Sequence, residues 1–247
     1  MKRLIKMTYL GVLISVLSAI HLMADEINKL EIRTIGIPPY GIENNNQPSG
    51  VYYDAANLLI KRAGYQANNL IYPYARIINE LKSGETDLTI MFKYEELTEH
   101  VIYITPLPTL RTVVIGRQGS IFKSIDDLKG KTIAYLRGAR FSDLIDNQTT
   151  INKQVTDDFT QGAQMLMSGR VDGLIGPLDP IIKAIESINS NARLGEPLIV
   201  DERTPWVQIS KKSVDKVSAE KLNKIFLEII LGGELNTIKN QYGANNE

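Results

Sequence analysis

Leu81-Lys82-Ser83-Gly84-Glu85-Thr86-Asp87-Leu88, in the first half of the chain, is echoed by Leu166-Met167-Ser168-Gly169-Arg170-Val171-Asp172-Gly173 in the second. Each segment reads as the end of a helix, a glycine stop, an aspartate and the start of a strand. Glycine supplies the left-handed residue on which a helix commonly ends, and the aspartate side chain can bond the backbone of the turn. Two common helix-to-strand turns can coincide by chance, but their spacing predicts two similarly built lobes.

Working outward from these turns, apolar residues alternate at Leu30 and Ile32 and then at Ile35 and Ile37, which predicts a strand over 31–37 stopped by Pro38-Pro39. Ala55, Leu58, Leu59 and Arg62 share one face of a helix over 54–63, with Gly64 at its end. Further helices are expected over 77–82, 159–167, 180–188, 219–231 and 234–240, and further strands over 88–92, 112–116, 132–136 and 171–175. Strands alternating with helices make this an α/β protein with mainly parallel sheets.

The N-terminus opens with Met1-Lys2-Arg3-Leu4-Ile5-Lys6, continues with an apolar run over 7–20 and reaches Leu22-Met23-Ala24. A basic stub, a short apolar core and a small residue form a cleavable secretory signal, expected over 1–24. An uncleaved anchor is the alternative, but spanning a bilayer takes about 20 apolar residues. The chain has no cysteine, hence no disulfide framework and no thiol to carry a lipid. A solute receptor released in this way needs a second membrane to retain it, which points to a periplasm. Cleavage removes three basic residues and no acidic one from a chain of 28 of each, leaving a mildly acidic body without basic runs. Such a body argues against nucleic acid as a partner.

Several stations along the chain resemble the type II periplasmic solute-binding proteins of amino-acid ABC transporters, bacterial extracellular solute-binding protein family 3, in a divergent branch. Pro38-Pro39-Tyr40 resembles the family's Pro-Pro-aromatic loop, and Gly50-Val51-Tyr52-Tyr53-Asp54 its Gly-Phe-Asp-Val-Asp segment. Leu81 to Asp87 is similar to the leucine-x-x-Gly-x-x-Asp turn and Tyr103-Ile104-Thr105-Pro106 to the Phe-Ser-x-Pro slot. Ser124-Ile125-Asp126-Asp127-Leu128-Lys129-Gly130-Lys131 is similar to Ser-Leu-Glu-Asp-Leu-Lys-Gly-Lys. The resemblance implies a two-lobed periplasmic-binding-protein fold, its lobes joined by crossing strands near 110–115 and 204–208. Lobe 1 is expected over 25–112 and 206–247, lobe 2 over 113–205. It also implies a monomer without cofactor or metal that closes on a small polar solute for an inner-membrane ABC permease or a sensor receptor.

Departures from the family pattern carry information of their own. The arginine that holds a ligand carboxylate in a Thr-x-x-Arg segment is missing, since 93–110 contains no arginine, and the ammonium-binding aspartate aligns with Pro177. An α-amino acid held in the usual way is therefore not expected, although Asp179 is near enough in sequence to reach the same space. Arg76, in Tyr72-Pro73-Tyr74-Ala75-Arg76, resembles a Pro-aromatic-x-Arg motif of one branch and is the candidate first-lobe anchor for a carboxylate. Its alternative is a surface arginine in a first helical turn. In the second lobe, Arg137-Gly138-Ala139-Arg140-Phe141 replaces the family's Gly-Thr-Thr/Ser loop, and Arg137, Gly138 and Arg140 are candidates for an anion site. Two solvated loop arginines are the alternative there. Tyr40, Tyr74, Phe92 and the single tryptophan, Trp206, are candidates for the pocket wall.

Catalysis is the rival reading, because periplasmic cyclohexadienyl dehydratases resemble the same scaffold. It requires a placed acid or base. After cleavage His100 is the only histidine, and no metal spacing or nucleophile–base motif appears. Glu43, Glu95, Glu96 and Asp158 remain as carboxylates able to act.

Overall fold

A computed structural model describes residues 29–44, 47–188 and 191–244. The leader expected over 1–24 lies outside these residues. Two five-stranded sheets organise the chain, each flanked by helices. The first holds β1 (Leu30–Ile35), β4 (Ala67–Tyr72), β5 (Leu88–Phe92), β6 (Val101–Pro106) and β12 (Pro205–Ser210), in the order β4-β1-β5-β12-β6. The second holds β7 (Leu110–Ile115), β8 (Thr132–Leu136), β9 (Asn152–Thr156), β10 (Gly173–Pro177) and β11 (Leu198–Arg203), in the order β11-β7-β10-β8-β9. A short hairpin of β2 (Ile42–Asn44) and β3 (Gln47–Ser49) follows the first strand.

In each sheet four strands run in one direction and one, β12 in the first and β7 in the second, runs antiparallel between its two neighbours. In both sheets this antiparallel strand is the one that carries the chain in from the other lobe, because a strand arriving from the opposite lobe enters from the opposite end. The chain leaves the first sheet after Pro106, joins the second at Leu110, leaves it at Arg203 and rejoins the first at Pro205. Residues 110–112, expected with the first lobe, thus run in the second sheet, and Pro205, expected with the second, runs in the first. The two crossings touch through a hydrogen bond between the hydroxyls of Thr109 and Thr204, 2.7 Å apart.

Each sheet has its own apolar core. Leu59, Ile77, Leu81, Leu88, Ile90, Val207 and Phe226 belong to the first, and Ile133, Leu166, Leu174, Ile175 and Ile181 to the second. Helix α1 (Val51–Ala63) ends on Gly64 at φ 71°, as its sequence demands, but starts three residues before its expected beginning. Helix α2 (Tyr74–Ser83) likewise starts earlier, directly behind Pro73. The short α3 (Asp143–Asp146), α4 (Phe159–Met167) and α5 (Leu178–Ile188) serve the second sheet. The closing helices α6 (Ala219–Leu231) and α7 (Glu234–Gln241) put Phe226, Ile229 and Leu235 into the core of the first.

The echoed turns have a shared three-dimensional meaning. Gly84 and Gly169 sit at φ 83° and 77°. The carboxylate of Asp87 accepts the Glu31 N–H at 2.7 Å, and that of Asp172 accepts the Thr132 N–H at 2.8 Å. Each aspartate's own N–H returns a bond to the carbonyl of the same residue. The clamp therefore ties the turn to the neighbouring parallel strand, where a bond within the turn was expected. Because Asp172 belongs to the turn, β10 begins at Gly173, two residues later than anticipated.

Candidate functional site

Aromatic side chains from both lobes meet beside the crossings. Tyr40 follows β1 and stacks on Tyr52 of α1, with ring centroids 4.4 Å apart. Tyr74, the first residue of α2, meets Tyr94 edge-on at 5.0 Å. From the second lobe, Phe141 approaches Phe159 at 6.2 Å. With Ile37, Phe92, Leu136, Pro177, Pro180, Leu110 and Pro205, among others, these rings enclose a narrow cavity of about 40 Å³ whose lining contains no charged side chain. The buried hydroxyl of Tyr74 finds no hydrogen-bond partner among the described residues. Burial pushes the Tyr94 phenol up to about 12, so it is neutral at physiological pH.

A second, larger cavity of about 490 Å³ shares Tyr94 and Phe141 with the first and is polar. Lys93, Glu95 and Glu96 line it from the first lobe. Arg140, Ser142, Asp143, Asp146, Asp201 and Arg203 line it from the second. Arg203 is its best-connected cation. It donates to the carbonyl of Lys93 at 2.8 Å and to that of Arg140, one in each lobe, and its guanidinium lies 4.7 Å over Phe92 and 5.2 Å over Tyr94.

Asp146 is the cavity's buried anion, with a side chain only 9% exposed. Its Oδ1 accepts from the Tyr135 hydroxyl and receives long contacts from the N–H groups of Phe141 and Ser142 at 3.4 and 3.5 Å. Its Oδ2 accepts no hydrogen bond and has Arg140 Nε at 3.7 Å. Burial holds this carboxyl above the ordinary aspartate range, against the opposing pull of the two N–H groups and of Lys153 and Arg203.

The sequence candidates divide on this map. Tyr40, Tyr74 and Phe92 line the apolar cavity and Arg140 the polar one. Arg76 lines neither. Its Nε donates to Glu80 at 2.7 Å and its guanidinium lies 3.6 Å over the Tyr72 ring, so the donors meant for a carboxylate are turned to an internal one. Glu80 is buried and also accepts from Arg33 and Thr86. Burial alone would raise its carboxyl, but these donors outweigh that and hold it below the ordinary range. Arg137 is exposed and paired with Asp157 at 2.8 Å. Gly138 adopts φ 72°, and a side chain there would meet Ala75 of the first lobe at 3.9 Å, so this loop forms one lip of the cleft. The N–H groups that follow the loop face Asp146, which fills internally the anion position expected of it. Asp179 is buried at the start of α5 and lines neither cavity. Trp206 packs on Tyr103 with Lys93 Nζ 3.7 Å above its ring and also lies outside both linings.

Of the carboxylates considered for catalysis, Asp158 caps α4 by accepting from Gln161 N at 2.7 Å, and Glu43 lies in the hairpin. Glu95 and Glu96 border the polar cavity, and His100 is exposed. Among the described residues no three His, Asp or Glu side chains stand together in a metal-holding group, and no helix is long and apolar enough to cross a membrane.

Two α/β lobes that shut a ligand-sized space between them, with the chain crossing twice, define the two-lobed periplasmic-binding-protein fold. Residues 32–245 match the pattern of the bacterial extracellular solute-binding proteins, family 3, and the chain belongs to that family. The ABC transporter arginine-binding protein 1 of Escherichia coli (strain K12) is 28% identical over 216 residues, covering 83% of this chain and 86% of that protein. An ancestral arginine-binding protein bound to arginine shares the fold with a TM-score of 0.72 at 23% identity, over 87% of this chain and 98% of that one. A histidine kinase sensor domain with similarity to periplasmic binding proteins does so with a TM-score of 0.74 at 15% identity, over 87% and 95%.

Proposed function

We propose that this protein is a periplasmic receptor, secreted through the leader at 1–24, that captures a small amino-acid-like, carboxylate-bearing solute and delivers it to an inner-membrane ABC permease. The observation that carries this reading is Arg203, which stands at the polar end of the aromatic cleft and bonds carbonyls of both lobes. With the usual arginine absent from 93–110, Arg203 is the cation best placed to take a ligand carboxylate, in preference to Arg76. Ligand contacts made by both lobes exist only when the cleft is shut, so binding energy favours the closed form that a membrane partner reads. Membership in a family of solute-binding proteins supports capture over catalysis. Delivery to a membrane sensor is the second reading, supported by the sensor domain that shares the fold.

A thermal-shift screen of the purified protein against amino acids and organic acids tests this. A true ligand at ~100 times its Kd adds about 2.7 kcal/mol of stability. No shift with any carboxylate-bearing solute would overturn the proposal. Co-purification with a permease or with a sensor kinase decides between the partners.

A further inference from the structure

We infer that the polar cavity is the head-group compartment for an α-amino acid with an aliphatic side chain: Asp146 takes the ammonium, Arg203 the carboxylate, and the side chain enters the aromatic cavity. This rests on the solute-capture reading above and specifies its ligand.

Three observations converge on it. The first is the buried Oδ2 of Asp146, which lines the cavity without a hydrogen bond while Oδ1 is fully engaged. A buried carboxylate oxygen left without a donor is costly, and an ammonium brings three donors. Arg140, whose Nε is 3.7 Å from this oxygen, is exposed and shared with Asp143 at 3.3 Å, so it yields the place readily. The second is charge order, since Arg203 supplies the complementary cation in the same cavity and only two of its atoms are engaged by carbonyls. A zwitterionic head fits one anion and one cation better than a lone charge does. The third is the shared wall: Tyr94 and Phe141 border both cavities, and the inner one has no charged lining residue. A guanidinium or carboxylate entering it would lose its water and gain no counter-ion, a loss that cation–π contact with the rings does not match. An aliphatic chain loses nothing there. The inner space is small, which favours valine or leucine over larger side chains and requires the lobes to part slightly on entry.

The experiment is calorimetry of the purified protein with L-leucine, L-valine, L-arginine and L-glutamate, together with 4-methylpentanoate, which is leucine without its ammonium group. Leucine or valine should bind most tightly, and loss of the ammonium should weaken binding about 30-fold or more. Asp146→Asn keeps an acceptor for Tyr135, and should weaken leucine similarly and erase the preference for leucine over 4-methylpentanoate. Equal affinity for leucine and 4-methylpentanoate in the unaltered protein would overturn the assignment without reliance on any variant. So would arginine or glutamate binding more tightly than leucine, or leucine affinity that ignores Asp146→Asn in a protein of normal melting temperature. In those cases solute capture still stands. Absence of binding by all five compounds would bring down the assignment, and the capture reading falls only if the wider screen is also empty.

Discussion

Arg203 lines the polar cavity and has five N–H donors, of which the carbonyls of Lys93 and Arg140 take one each. Removing it takes away the cation opposite a desolvated ligand carboxylate, so Arg203→Ala should weaken ligand binding by about 2–5 kcal/mol in calorimetry. Arg203→Lys should recover only part, because an ammonium keeps the charge but not the planar fork. Arg76 makes the contrasting case. It is exposed, so Arg76→Ala should leave affinity unchanged and the melting temperature close to that of the unaltered protein. A large affinity loss would return Arg76 to the site. Its partner behaves differently, because Glu80 is buried and holds the equally buried Arg33. Glu80→Ala removes one of the two carboxylates of that guanidinium, leaving Glu31 at 2.7 Å, and chemical denaturation should register a loss of about 1–3 kcal/mol. Since the folded protein lowers the carboxyl of Glu80, its contribution is complete above the ordinary glutamate range and fades as pH falls through the lowered value. The stability gap between the unaltered protein and Glu80→Gln should therefore narrow on acidification.

Among the elements, β10 carries the tightest demand at the site. A Cβ on Gly176 would lie 2.4 Å from the ring of Phe159, which lines the aromatic cavity. Gly176→Ala should cost about 1–3 kcal/mol of stability and shift that ring, lowering ligand affinity as well, measurable by melting and calorimetry together. The same sheets explain what could be read from sequence. Strands β1, β5, β7, β8 and β10 occupy interior positions, and their apolar runs were visible. Within the two large sheets the strands that went unpredicted, Ala67–Tyr72, Val101–Pro106, Asn152–Thr156 and Leu198–Arg203, are the four edges. An edge strand has fewer neighbours to bury it, and Asn152–Thr156 is exposed at every residue but its last, so no alternation survives to mark it. At the site, Tyr40, Tyr74 and Phe92 were legible because each sits beside a proline or a strand end of a recognisable segment. Arg203 and Asp146 were not, since one lies at the end of an edge strand and the other on a four-residue helix. What brings them to the cleft is the packing of two lobes, which leaves no local mark in the sequence.

At the scale of the whole molecule, closure rests on small residues at the lips. Ala75 opens toward Gly138 across the cleft, and a large side chain at this point wedges the lobes apart. Ala75→Trp should weaken ligand binding severalfold and enlarge the ligand-saturated radius of gyration in small-angle scattering, with unchanged melting of the unliganded protein. Equal radii would show that the lips do not set closure. The insertion of one lobe within the other has a consequence of a different kind. Among the described residues strand β6 pairs with β12 alone, and β12 is made about a hundred residues after it. During synthesis the second lobe, continuous from Leu110 to Arg203, is complete while β6 still waits for the strand that flanks it. The first-made half of this protein is therefore the last to finish folding, and until Pro205–Ser210 emerges it presents an unfilled slot between β5 and β6 to whatever chaperone attends the chain.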